Sequence, residues 1–403
     1  MIEILRNIGR DSDAVLDRFY QPAIYVLLAF AFLLYLDRLE LFASMWQGWV
    51  VADWLINFGG GFVRRGAAGE MILWLSSVTG VGANFIVMAI QASLYLAFCV
   101  LFARLVSQRQ VSFWYFFLCL SPLFVLFNVL DLLSIGRKEL LLYVLFAAWI
   151  FVLQRERELD QTPPLLFALL LLMMCLAHEM VAFYSPYFVF AAMLRYRSLA
   201  KGWDVAKIIP IVAFACILIL SLGSGAIDQG AICAKLLAAG ATPEICNGIL
   251  SWPVQSVNDA LYVTQRLSND TTVFAFVATV LVLIVPAAAF LAVRAPELAL
   301  TAVLVVIGLV LLTLPLFLLA IDWGRWIHIH ATLVVLSFLL LLDSRREPAE
   351  APAPAWTPAA IAGIALLLSN LTWRIRHCCG EGYQNLEWGG AVDALARLFT
   401  GGT

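Results

Sequence analysis

The sequence predicts an all-α polytopic membrane protein. Of its 403 residues 63% are hydrophobic, only 13% are charged, and the mean hydropathy is +0.93. Apolar runs long enough for a membrane helix recur from end to end. A soluble chain of this length would divide into two or three domains and carry about 25% charged residues. The 25 Lys and Arg nearly balance the 27 Asp and Glu. A net charge of -2 draws no nucleic acid to the chain, and a DNA- or RNA-binding role is excluded.

A bilayer core of about 30 Å takes roughly 20 apolar helical residues, fewer where protein covers the helix ends. Eleven runs meet that need, near Pro22–Phe42, Asn84–Leu105, Phe113–Leu130, Ile135–Leu153, Pro164–Ala177, Met180–Leu194, Ile208–Leu222, Thr272–Val293, Leu298–Ile321, Ile327–Leu342 and Thr357–Leu371. Several are short enough for one or two to be broken or re-entrant helices. Residues 1–21 read as a cytoplasmic amphipathic lead-in: they carry Arg6, Arg10 and Arg18 and lack the long apolar stretch of a signal peptide. Residues 22–371 form a single transmembrane domain. Basic residues in the short loops around Arg155 and Arg157, and from Arg195 to Lys207, put the N-terminus inside. Long outer loops then span about 37–82 and 223–271, an extended Pro/Ala linker at 343–356 lies inside, and residues 372–403 form an outer tail.

Under this topology four polar clusters fall on the outer side. The first is Asp53-Trp54-Leu-Ile-Asn57-Phe-Gly-Gly-Gly-Phe-Val-Arg64-Arg65-Gly, followed by Glu70. Paired guanidiniums give forked donors for phosphate oxygens, glycines let backbone amides approach, and a carboxylate takes a proton from a hydroxyl. The plainer use of Arg64 and Arg65 is contact with lipid head groups. Met71 to Thr79, with Trp74, is too short to span and suits an interfacial helix. The second cluster, Asp131 to Glu139 with Arg137 and Lys138, either binds a ligand or closes on itself through Glu139. The third is His178-Glu179, a candidate proton acceptor and its neighbour. The fourth is Asp322-Trp323-Gly-Arg325-Trp326, whose tryptophans suit a sugar face or an interfacial belt.

Four of the eight cysteines (Cys99, Cys119, Cys175, Cys216) lie in apolar runs as packing residues. Cys233 and Cys246 share the large outer loop and are the expected disulfide, while Cys378 and Cys379 either pair elsewhere or stay reduced. Asn269-Asp-Thr271 matches a glycosylation acceptor, relevant only in a eukaryotic secretory pathway. His328 and His330 diverge by about 200° on a helix, and no zinc motif is present. No cofactor is required, although acidic groups with phosphate oxygens allow Mg or Mn.

This plan resembles the polytopic glycosyltransferases that consume polyprenyl-phosphate-linked sugars (GT-C-like enzymes) and the Wzy-type polysaccharide polymerases. The likeness lies in about 11 helices, a long first outer loop with an acid and an interfacial helix, and arginines gathered outside. Trp54 to Gly66, Gly136-Arg137-Lys138-Glu139 and His178-Glu179 carry it. The chain lacks the pair of adjacent acids that many GT-C enzymes have in that loop. The resemblance implies transfer of a sugar or repeat unit from a polyprenyl-(pyro)phosphate donor to a glycan or lipid-linked acceptor hydroxyl. It places the protein in a bacterial inner membrane with its site on the periplasmic face, working beside glycan-assembly proteins. Asp53, Glu179 or His178 would act as base. Arg64, Arg65, Arg137, Lys138 and Arg325 would hold phosphate, with Asn57, Glu70, Asp131, Glu139 and Asp322 orienting them and Trp54, Trp323 and Trp326 meeting sugar. The competing functions are a transporter or flippase of an anionic lipid-linked or small solute, and a structural subunit.

Overall fold

The computed structural model describes residues 2–45, 50–156, 162–222, 227–241, 243–246, 250, 257–268, 270–344, 357–378 and 383–385. The glycosylation motif at Asn269, Cys379 and most of the 343–356 linker and C-terminal tail lie outside them. The described residues are predominantly helical, as the apolar patterning requires. The first helix, α1 (Ile2–Met45), joins the lead-in and the first span in one continuous 44-residue element. At 1.5 Å per residue it measures about 66 Å. There follow α2 (Ala52–Leu55), α3 (Gly66–Thr79), α4 (Ala83–Ser107), α5 (Phe113–Leu120), α6 (Phe127–Leu130), α7 (Glu139–Arg155), α8 (Thr162–Ala177), α9 (Met180–Tyr184) and α10 (Pro186–Tyr196). The second half contains α11 (Leu199–Ala206), α12 (Ile208–Leu222), α13 (Gln229–Ala238), α14 (Val257–Leu267), α15 (Asp270–Arg294), α16 (Ala299–Leu312), α17 (Leu314–Leu319), α18 (Trp323–Phe338) and α19 (Pro358–Ser369). A small antiparallel pair, β1 (Trp373–Ile375) with β2 (Tyr383–Asn385), follows.

The eleven apolar runs all fall on helices, but length and composition qualify five helices as membrane-crossing, or six if the bent pair α11–α12 is one span. The rest are shorter or interrupted: Phe113–Leu130 divides into α5 and α6, Met180–Leu194 into α9 and α10, and Leu298–Ile321 into α16 and α17. Pro186 and Leu314-Pro315 stand at two of these breaks, where a proline withholds a backbone donor. The most hydrophobic 18-residue window of the α18 span is entirely buried, against 22% of that of α16–α17, so α18 is the axis of the bundle. Around it pack α5, α7, α10 and α15.

α3 begins earlier than the interfacial helix expected from Met71 and leaves Met71, Trp74 and Val78 exposed along one flank. Its other flank closes on α2 so tightly that a Cβ at Gly69 would stand 2.0 Å from the Ile56 carbonyl oxygen. At one end of the bundle, arginines meet helix C-termini, where the backbone dipole favours cations. Arg195 donates to the Leu153 carbonyl at 2.7 Å and Arg109 to that of Leu342 at 2.9 Å. The four polar clusters lie at the opposite end.

Candidate functional site

Each cluster sits where an apolar helix begins or stops, and the fold brings the four together from positions more than a hundred residues apart. Arg65 opens α3, Arg137 and Lys138 precede α7, His178-Glu179 join α8 to α9, and Asp322 and Arg325 begin α18. Arg65 is the hub. Its Nε donates to Glu179 Oε1 and Oε2 at 3.1 and 3.0 Å and its Nη2 to Oε1 at 2.7 Å, a forked pair. Its other nitrogen faces Asp53 at 3.9 Å, its backbone carbonyl accepts from Lys138 Nζ at 3.3 Å, and its φ of 70° is left-handed. Arg137 approaches Asp53 from the other side at 4.0 Å, while Arg325 is clamped between Glu139 and Asp322.

Asp53 is fully buried, and neither of its carboxylate oxygens accepts a hydrogen bond among the described residues. Burial alone would raise its pKa, but Lys138, Arg137 and Arg65 outweigh that and hold the carboxyl below its ordinary range. Glu179 is likewise held low against burial, by Arg65 first. Burial pushes the Lys138 ammonium down to about 8, with Asp53 opposing. Burial, reinforced by Arg65, keeps His178 neutral. Its Nδ1 accepts from the Met180 N–H at 3.2 Å, so the proton of the neutral ring belongs on Nε2.

A cavity of about 300 Å³ opens beside this cage, walled by Arg64, Arg65, His178, Glu179 and Trp326 on its polar side and by Phe183, Ile217 and Leu316 among apolar residues. Arg64 is the loosest cation: its side chain is 41% exposed and 3.8 Å from Glu179. The buried Trp326 ring lies under Arg325 at 5.1 Å, and its indole N–H has no acceptor among the described residues. The wall therefore presents N–H donors and fixed positive charge beside one carboxylate, an arrangement suited to an anionic, hydroxylated ligand.

Several expected site residues have other partners. Asp53 does not line the cavity; it lies behind Arg65. Trp54 is buried and donates to the Gly136 carbonyl at 2.6 Å, so its ring is unavailable to a sugar. That carbonyl also accepts from Gln91 at 2.8 Å, and Gly136 holds a left-handed φ of 61° with Gln91 where a Cβ would be. Asn57 caps its own turn through Gly59 N–H at 2.9 Å, and Glu70 accepts from Phe58 N–H at 3.2 Å and from Lys235 at 2.5 Å. Both anchor the first loop to α13 instead of facing the cavity. Trp323 donates to the Phe317 carbonyl at 2.7 Å, and Asp131 holds His377 at 2.9 Å. His328 bonds the Leu123 carbonyl and His330 bonds Tyr187 and Thr313, in separate places.

The expected disulfide forms between Cys233 and Cys246, with Cα atoms 5.4 Å apart. Cys378 is also disulfide-bonded. It approaches Asp322 and His377 with ligand atoms within 4.8 Å, but a bonded sulfur leaves two donors, too few for a structural zinc. Sequence reasoning missed Gln91, His377 and Ser221; a lone amide inside an apolar helix is the signal that marks Gln91. No protein-family model matches the chain, and no curated protein or solved structure matches it.

Proposed function

We propose that the protein is an integral-membrane glycosyltransferase or polysaccharide polymerase that takes a sugar or repeat unit from a polyprenyl-(pyro)phosphate donor. The observation that supports this best is the cavity wall: Arg64 and Arg65 face the same space as Glu179, with an apolar wall opposite. Such a wall suits a phosphate with a hydrocarbon attached. In this reading Arg64 receives the phosphate, and Arg65 shifts part of its hydrogen bonding from Glu179 to it. Glu179, relieved of its fork, takes the proton of the acceptor hydroxyl as that oxygen attacks the anomeric carbon. The bond to phosphate breaks, and the arginines and the His178 Nε2–H stabilise the departing charge. Asp53, buried behind Arg65, orients the guanidinium.

The GT-C-like or Wzy-like arrangement of about eleven crossings, with this end of the bundle on the periplasmic face of a bacterial inner membrane, is part of the proposal. So are glycan-assembly partners. Deleting the gene in its native host and examining surface glycans and lipid-linked intermediates by mass spectrometry tests it. Accumulation of a lipid-linked sugar with loss of a longer glycan is expected, and restoration by the native chain but not by Arg64→Ala or Glu179→Gln. Unchanged glycans and intermediates would overturn the transferase and direct attention to solute transport in vesicles.

A further inference from the structure

A second cavity, about 530 Å³, lies between α10, α11, α12 and α16 and has no charged residue in its wall. Its walls continue those of the site cavity. On α12, Ile211, Phe214 and Leu218 line the second cavity and Ile217 and Ser221 the first. The spacing of three and four residues puts them on one stripe. On the opposite side Val305 and Leu309 of α16 lead to Leu316 of α17 and to Ala320 in the same rhythm. The third wall passes from Phe183 in α9 to Pro186 and Phe190 in α10. From Ile211 to Ser221 the α12 stripe rises about 15 Å, half of a ~30 Å bilayer core. Ile211 and Leu218 are 54% and 64% exposed, so the groove opens sideways.

We infer that the two cavities are sections of one lateral groove that seats the hydrocarbon chain of a single-chain polyprenyl phosphate whose phosphate rests at Arg64. This rests on the function proposed above and names the path of its lipid. The occupant follows from charge and shape. The loosely held Arg64 stands at the polar mouth, the continuing walls are apolar beyond Ser221, and the three stripes bound one channel, which takes one chain.

Binding to purified protein in detergent, with undecaprenyl phosphate and the short geranyl phosphate as probes, tests this. Ala215 lines the lower cavity and is exposed on α12, so Ala215→Trp fills the groove without touching the ion cage. It should weaken undecaprenyl phosphate about tenfold and leave geranyl phosphate unchanged. Val305→Trp, from the facing wall, should do the same and serves if Ala215→Trp does not fold. Ile219→Trp, on the same helix but lining neither cavity, should alter neither probe. Equal affinity of the long probe for wild type and the folded groove variants would overturn the groove, as would equal losses of both probes. If Arg64→Ala weakens both probes while the groove variants weaken neither, the phosphate site stands and the groove falls. The expected chain-length pattern without sugar transfer from any lipid-linked donor would keep the groove and remove the transferase.

Discussion

Raising the pH should loosen phosphate binding and tighten the fold at the same time, and Lys138 is the reason. Its ammonium is completely buried at the start of α7, and burial takes it from 10.5 down to about 8. Between those two values the unfolded chain holds the proton more than the folded one does. Stability therefore rises with pH across that window. The displacement corresponds to at most about 3 kcal/mol. Over the same interval the site loses one positive charge. At an effective dielectric of ~20, a unit charge on the order of 10 Å from an anion contributes roughly 2 kcal/mol, about thirtyfold in affinity. The assay pairs a thermal-unfolding series with a polyprenyl phosphate binding series from pH 7 to 10 in one detergent. Wild type should unfold at higher temperature and bind more weakly as pH passes about 8. Lys138→Arg stays charged throughout, so both slopes should disappear. An alkaline loss of binding with the same midpoint in Lys138→Arg would refute the assignment.

Glu179→Gln leaves the half-buried Arg65 without its forked carboxylate, and losing such a charged hydrogen-bonded partner costs about 1–3 kcal/mol; the unfolding midpoint should fall and transfer should cease. Gly136→Ala places a methyl group against Gln91 in a left-handed backbone, a loss of about 1–3 kcal/mol. Thermal unfolding should show it, with phosphate binding reduced as Trp54 and Gln91 lose their shared carbonyl. Cys233→Ser opens a short loop at the α13 segment and should cost about 2–3 kcal/mol. Limited proteolysis should then cut between Gln229 and Cys246 before the bundle is attacked.

The gathering of the four clusters was legible in part because each stands at the end of an apolar run, where polar groups need partners. The disulfide was legible for a related reason: Cys233 and Cys246 share one long loop between apolar runs. Which polar residue faces the cavity was not. Asp53, Trp54, Asn57 and Glu70 belong to the same sequence motif as Arg64, yet their directions are set by Arg65, Gly136, Gly59 and Lys235. Those partners are tertiary, and spacing along the chain does not encode them. The breaks within the apolar runs were hidden for a similar reason. Hydropathy measures apolar length, while the breaks at Pro186 and Pro315 and the bend before α12 depend on backbone donors and packing.

The adjacent arginines show how this division of labour is built. Left-handed backbone at a residue other than glycine costs about 1–2 kcal/mol and persists where its surroundings overdetermine it. At Arg65 the surroundings are two carboxylates, the buried Asp53 and the half-buried Glu179, and the lysine that holds its carbonyl. A side chain fixed by that many partners is a poor first contact for a ligand. Arg64 has one carboxylate at 3.8 Å and a side chain 41% exposed. A phosphate entering the cavity therefore meets Arg64 before it competes for Arg65. Affinity should respond first to Arg64→Ala, whereas Arg65→Ala should lower stability and affinity together.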